Sequence, residues 1–249
     1  MIAVNKIINI IEKFAPLELA EEWDNTGWQI NLGIKEVNNV MVCLSVTPQI
    51  IEQAINNNCG LIISHHPLIF NGIKKILNEN VLNKLIISCI QNNIQVYSAH
   101  TNLDCTQGGV NDILCEKLGL IYKENLNKFV KLTHLPEKMT VESFILKLKI
   151  SLNAPKIKLI NPQNIQEIKT VAICSGSGSE FINEVMGKAD AYITGDIKYH
   201  SALEVRDLVV IDAGHFETEK IILQTLKNLL HTEVPDVVTG KETEPWVIV

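Results

Sequence analysis

The first apolar residues of the chain recur at helical spacing. Ile7, Ile8, Ile11 and Phe14 share one face, with Asn, Glu and Lys between them, which predicts an amphipathic helix. The rhythm then changes. "VMVCLSV" (40–46) and "GLIIS" (60–64) are short β-rich runs, and between them "PQIIEQAINNN" puts Ile50, Ile51, Ala54 and Ile55 on one helical face, so this stretch predicts a βαβ unit. A helix around Glu79 to Asn93 leads into a third strand, "IQVYS" (94–98); "AHTNLD" then leaves the strand as a loop, and Gly108-Gly109 starts a helix with Val110, Ile113 and Leu114 inward.

The second half repeats the pattern. "TVAICSGSGS" (170–179), helix "EFINEVM", strand "AYIT" (191–194), helix "SALEVRDL" and strand "VVID" (209–212) precede "AGHFETE" and the helical "ETEKIILQTLKNLL". Laying Val42 on Ala172 puts Gly60 on Asp190, Ser64 on Thr194 and His66 on Asp196, and a second alignment lays Ala99 on Ala213. The expectation is an α/β fold of two structural repeats, residues 1–122 and 123–249, with 123–168 beginning the second repeat or inserted before it. Strands alternating with helices imply mostly parallel sheets covered by helices on both faces.

Composition narrows the classes. The 249 residues are 46% hydrophobic, enough for a packed core without staples. A net charge of −6 and 5% aromatic content argue against nucleic acid as a partner, because phosphate capture needs basic surface and base stacking needs rings. Six cysteines with no CxxC pair read as buried small hydrophobes in a reducing compartment. No apolar run approaches the ~20 residues of a membrane helix, and the amino terminus lacks a signal-peptide core. A cytoplasmic protein is expected.

Chemistry concentrates at strand ends, where open parallel sheets place their ligand sites. Those ends read "SHH", "SAHTNLD", "TGDIKYH" and "DAGHFETE", so five of the seven histidines follow predicted strands. His65 and His66 are adjacent, and Pro67 after them removes a ladder donor, as suits a strand terminus. His100 and Asp104 are four apart in the expected loop, and so are His215 and Glu219, which share one face if a helix begins by His215. His65, His66, His100, Asp104, His215 and Glu219 together offer mixed nitrogen and oxygen donors, more than one tetrahedral ion needs and suited to two divalent ions. Blander roles compete: Glu219 as favourable charge at a helix start, Asp104 as a turn acid, and the histidines as solvated termini.

Other features read more weakly. "SGSGS" (175–179) is either a phosphate-holding turn or a plain Gly/Ser turn. His134 and His231 read as structural or surface residues, and Cys105 as a filler rather than a soft ligand. In "EEWDNTGW" (21–28) Trp23 is expected to pack and Asp24 to cap, unless Asp24 reaches the site.

"FAPLELAEEWDNTGW", "SHHPLIF", "SAHTNLD", "TGDIKYHSA" and "DAGHFETE", in this order over nearly the whole chain, resemble the GTP cyclohydrolase 1 type 2 family, also called Nif-three-like. The resemblance implies two intertwined α/β repeats, a toroidal homohexamer and a dinuclear metal site. Its ligands would be His65, His66, Asp104, His215 and Glu219, with His100 on or close to a metal. Two features depart from the family: "CSGSGS" carries fewer consecutive glycines, and Tyr199 stands where many members have a second histidine. The implied reaction hydrolyses the purine ring of GTP to formate and dihydroneopterin triphosphate. It would use two divalent ions (Zn, Mn, Fe, Ni or Mg), with His200 as candidate proton shuttle and His100 as a further catalytic candidate. Two alternatives accompany it: a metal-dependent hydrolase of another nucleotide or phosphoester, and a non-catalytic metal-binding ring or metallochaperone.

Overall fold

The computed structural model describes residues 1–234 and 236–246. Contacts divide the chain into two compact units, Met1–Thr106 with Leu223–Val249, and Gln107–Ile222. These bounds follow compactness rather than the expected repeat boundary after residue 122. Residues 107–122 group with the second unit and the last stretch of chain with the first.

In the first unit, β1 (Ile2–Ala3) pairs with β3 (Glu36–Val37), and α1 (Val4–Phe14) buries Val4, Ile7, Ile8 and Ile11. A five-stranded sheet forms from β2 (Gly27–Ile30), β4 (Asn39–Cys43), β5 (Cys59–Ser64), β6 (Gln95–Ser98) and β13 (Val237–Thr239), in the order β13-β4-β5-β6-β2. All neighbours are parallel except β2 against β6. The period of two sorts its side chains between faces. Met41, Cys43, Ile62 and Val96 meet α2 (Pro48–Asn56) and α3 (Val81–Gln91) through Ile50, Ile51, Ala54, Ile86 and Cys89. The alternate residue Tyr97 points the other way and donates to Glu12 of α1 at 2.8 Å. Thr47 caps α2 ahead of Pro48, and Asn80 caps α3. Asn58 and Asn93, at positive φ, end the same two helices, a conformation asparagine tolerates.

The second unit contains α5 (Val110–Lys117), β7 (Ile121–Asn125), β8 (Lys131–Thr140), α6 (Val141–Leu152), β9 (Lys158–Ile160), β10 (Glu167–Ser177), β11 (Ala191–Gly195) and β12 (Val209–Asp212). Its six-stranded sheet runs β7-β8-β10-β11-β12-β9. β10, β11 and β12 are parallel, and the flanking strands antiparallel. Val171, Ile173, Ala191, Ile193, Val209 and Ile211 pack on Leu114, Phe144 and Leu148 of α5 and α6, while Ala172, Cys174, Tyr192 and Val210 face the opposite core with Ile182 and Val185. The parallel triplets β4-β5-β6 and β10-β11-β12 are the runs that the sequence alignments laid on one another. The fold is therefore mixed α/β with helix-covered sheets, as expected.

Four local expectations are corrected. "AHTNLD" is not a loop: α4 spans Thr101–Cys105, too short for a hydrophobic period to show. "EFINEVM" is a 3-10 turn (Ser179–Phe181) running into a one-turn α7 (Ile182–Val185), and "SALEVRDL" is helical only to Glu204, in α8 (Tyr199–Glu204). The final helical run splits into α9 (His215–Glu219) and α10 (Ile222–His231).

Five of the six cysteines are buried and Cys105 is half-buried. Burial pushes the Cys59 thiol up to about 11 and those of Cys89 and Cys115 to about 12, so these side chains stay neutral hydrophobes. Among the described residues no helix is long and apolar enough to cross a membrane.

Candidate functional site

In the first unit the parallel ladder continues past the last strand residues. His65 N–H donates to Cys43 O at 3.0 Å, His66 N–H to Leu44 O at 2.8 Å, and Ala99 N–H to Ser64 O at 2.9 Å. This pairing holds both corners, "SHH" and "SAH", at one end of the sheet. His65 is fully buried, and its Nδ1 lies 2.9 Å from Ala99 O. A carbonyl only accepts, so Nδ1 carries the proton and Nε2, 3.7 Å from Asp104 Oδ1, presents a lone pair. His66 Nδ1 meets Ser45 Oγ at 2.7 Å, and His100 Nδ1 donates to Asp24 Oδ1 at 2.9 Å. One ring nitrogen from each of His65, His66 and His100 lies within 4.8 Å of the others. That is the donor set a divalent ion takes, with outer groups orienting each ring.

Asp24 does more than cap. Its Oδ2 accepts from Thr101 N–H at 3.1 Å, Thr101 Oγ1 at 2.6 Å and Thr26 Oγ1 at 2.6 Å. Burial opposes its charge, but the hydrogen bonds from His100, Thr101 and Thr26 outweigh that and hold the carboxyl far below the usual carboxylate range. Trp23, expected to pack, is instead 60% exposed, and its ring centroid lies 6.0 Å from Phe70 and 6.4 Å from His100. Its loop is pinned through its neighbours, with Asn25 Nδ2 donating to Ile69 O at 2.5 Å and Gln29 Oε1 accepting from Ile69 N–H at 3.0 Å.

In the second unit α9 begins directly after β12, at Gly214 (φ +89°). His215 and Glu219 share one face as the spacing predicts, Nε2 to Oε2 3.0 Å. His215 Nδ1 donates to Asp196 Oδ2 at 2.7 Å. Burial works against an imidazolium here, yet Asp196 and Glu219 raise His215 to about 10. A divalent cation arriving between Nε2 and Glu219 would take the place of that proton. A carboxylate on Nδ1 therefore orients a histidine in each unit: Asp24 for His100 and Asp196 for His215.

Comparison with known proteins places the chain. The family model Duf34/NIF3 (NGG1p interacting factor 3) matches residues 2–245. The chain belongs to this family. It is 35% identical to a "GTP cyclohydrolase 1 type 2 homolog" of Clostridium acetobutylicum over 98% of this chain and 97% of the relative. It is 31% identical to the "GTP cyclohydrolase 1 type 2" of Helicobacter pylori strain J99, covering 93% of each. In fold it is similar to a Bacillus cereus protein related to NIF3, with TM-score 0.91, 24% identity and 99% of each chain covered.

In this Duf34/NIF3 chain the "SGSGS" stretch, which ends β10 and turns out of it, is shaped by crowding. A Cβ on Gly176 (φ +63°) would sit 2.0 Å from Glu219 Oε1, and one on Gly195 would sit 2.6 Å from His215 N. Three backbone donors of the stretch are engaged: Ser175 N–H with Asn111 Oδ1, Gly176 N–H with Thr218 Oγ1 and Gly178 N–H with Thr194 Oγ1, at 2.8, 3.0 and 2.9 Å. Gly176 makes room for the Glu219 carboxylate and Gly178 for Thr194 and Tyr192, and these three N–H groups are not directed at a phosphate. Gly176→Ala should therefore displace Glu219. We expect weaker metal binding in equilibrium dialysis and a loss of about 1–3 kcal/mol in denaturant unfolding, the range for a residue forced into a sparsely populated backbone region. Wild-type metal affinity in that variant would show that Glu219 needs no such space.

The remaining candidates fall into place individually. His200 is exposed in the first turn of α8, its ring 5.5 Å from that of Tyr199. His134 is half-buried on β8, and His231 is exposed at the end of α10. Cys105 ends α4. Ser45 draws no attention as sequence, because a lone serine after a strand has no distinguishing pattern, and Gly176 reads there only as part of the "SGSGS" turn, not as a neighbour of Glu219.

Proposed function

We propose that this Duf34/NIF3 chain is a hydrolase dependent on two divalent metal ions (Zn, Mn, Fe, Ni or Mg). It takes GTP and one water to formate and dihydroneopterin triphosphate. The observation that carries the reading is the set of pre-oriented imidazoles, each with its Nδ1 already engaged. His65, His66, His100, Asp104, His215 and Glu219 are the proposed ligands. The printed name of the H. pylori relative supports the substrate. A divalent ion supplies Lewis-acid activation and charge stabilisation at neutral pH. The chain's own residues do the rest: Asp24 and Asp196 orient His100 and His215, Ala99 sets the tautomer of His65, and His200 carries protons to and from solvent.

Trp23 and Phe70 support a planar substrate. Two exposed rings beside His100 leave apolar faces in water, which a purine can cover. Base stacking contributes about 1–3 kcal/mol. Trp23→Ala should thus raise KM for GTP roughly 5- to 150-fold while metal content stays unchanged, and an unaltered KM would remove Trp23 from the substrate site.

The deciding experiment incubates metal-loaded protein with GTP and measures formate. Release that stops with chelator and returns with metal is expected. Tight metal binding without formate would favour the non-catalytic ring. The six free cysteines agree with work in the cytoplasm. A toroidal homohexamer is proposed for the assembly, and sedimentation equilibrium at micromolar concentration should give the six-chain mass; a monomer would refute it.

A further inference from the structure

The last stretch of the first unit reaches the "SHH" corner by a route that none of the metal motifs contains. β13 runs parallel to β4, with Thr239 opposite Val42, and the pairing extends one residue through Gly240 N–H to Val42 O at 2.8 Å. A Cβ on Gly240 would sit 2.4 Å from Ile50 Cδ1, so the chain passes tightly over α2. Gln53 then clamps Lys241 from both sides, accepting from its N–H at 2.9 Å and donating to its carbonyl at 3.0 Å. The next residue turns inward. Glu242 accepts from Leu44 N–H through Oε2 at 2.6 Å and from Ser45 N–H through Oε1 at 2.8 Å. Leu44 offers its carbonyl to His66 N–H, and Ser45 Oγ meets His66 Nδ1 at 2.7 Å.

We infer that Glu242 is a positioning residue for His66: it clamps the backbone N–H groups of Leu44 and Ser45 so that the Ser45 hydroxyl engages Nδ1 and holds the imidazole in one orientation, which leaves Nε2 as the donor nitrogen. The physical case is the two-pronged contact. A carboxylate accepting two adjacent N–H groups makes charge-assisted hydrogen bonds of well-defined direction. The peptide it grips is one bond from the serine that touches the ring. Without that grip, the segment between β4 and the Thr47 cap of α2 keeps the buried side chains of Leu44 and Val46 and the Leu44 carbonyl contact, but the Ser45 backbone loses the partner of its N–H and Ser45 Oγ its defined place. Outer-shell partners of ligating histidines usually change metal affinity by about 10–100-fold when removed.

The inference rests on the metal-binding reading given above, and two measurements on the full chain separate their failures. The first is imidazole nitrogen NMR of metal-free protein labelled with 15N-histidine, which reads the His66 tautomer without any metal. Wild type should show one dominant tautomer, and Glu242→Ala and Ser45→Ala should each show a mixture. The second is zinc affinity by chelator competition, in which each variant should bind roughly 10- to 100-fold more weakly than wild type. The double variant should be no weaker than the worse single one, because both act through one contact. A merely structural Glu242 would lower Tm and leave both the tautomer and the zinc affinity of the folded protein at wild-type values, which would overturn the inference. If Glu242→Ala does not fold, Glu242→Gln replaces it; it keeps one acceptor oxygen and should give intermediate shifts, and no shift would count against the proposal. A wild type that binds no zinc while its His66 tautomer still answers to Glu242 would defeat the metal reading alone.

Discussion

Glutamine in place of Glu219 is expected to remove bound metal while leaving the fold intact. The two side chains have nearly the same volume, so the amide stays in the space beside Gly176, but a neutral amide is a far poorer ligand than a carboxylate. His65→Asn makes the companion test, since its amide nitrogen can still donate to Ala99 O while the Nε2 donor is lost. Metal analysis after dialysis should show each variant depleted, with formate release lost alongside; full metal content in both would refute the ligand set. Metal-free protein offers a second readout. His215 is raised from 6.5 to about 10 in the folded state, so folding binds a proton in that window. The stabilisation is complete below 6.5 and is lost as pH rises toward about 10. Denaturant titrations of metal-free wild type should show that decline, and Glu219→Gln should flatten it.

Loss of the His200 imidazole is expected to leave metal in place and slow turnover by roughly 10²–10⁴, the usual contribution of a general acid or base. His200 is exposed in the first turn of α8, four residues beyond Asp196, with its ring beside that of Tyr199. Such a position allows exchange with solvent and supplies little packing, so His200→Ala should not cost stability. Stoichiometry and formate release measured on one purified sample separate the outcomes. Unchanged turnover would make His200 a surface residue, and lost metal would make it a ligand.

Much of this arrangement was legible as pattern. Alternating β and α periods gave the two parallel triplets, because a strand buried on both faces needs an apolar run and its covering helix an apolar stripe. The rule that parallel sheets carry ligands beyond their strand ends then picked out His65, His66, His100, His215 and Glu219. Short elements escaped it: α4 holds five residues, fewer than two turns, so no period could show, and the break that makes α9 a separate five-residue helix was hidden for the same reason. The strands β7, β8 and β9 within and beside 123–168 were equally hidden, since the antiparallel flanks of a mixed sheet do not keep the βα alternation.

What the sequence by itself determined is which side chains stand at the strand ends, because that depends on local periodicity and on punctuation by Pro67, Gly108 and Gly214. Only the tertiary structure decided what each donor is aimed by. Asp24 reaches His100 from 76 residues away and Glu242 reaches Leu44 from 198. Ser45 meets His66 across the β4–β5 pairing, and Gly176 is small because Glu219 fills the space where its side chain would be. Contacts at such separations leave no period or spacing in the chain, since a hydrogen bond depends on distance in space and not on distance along the sequence.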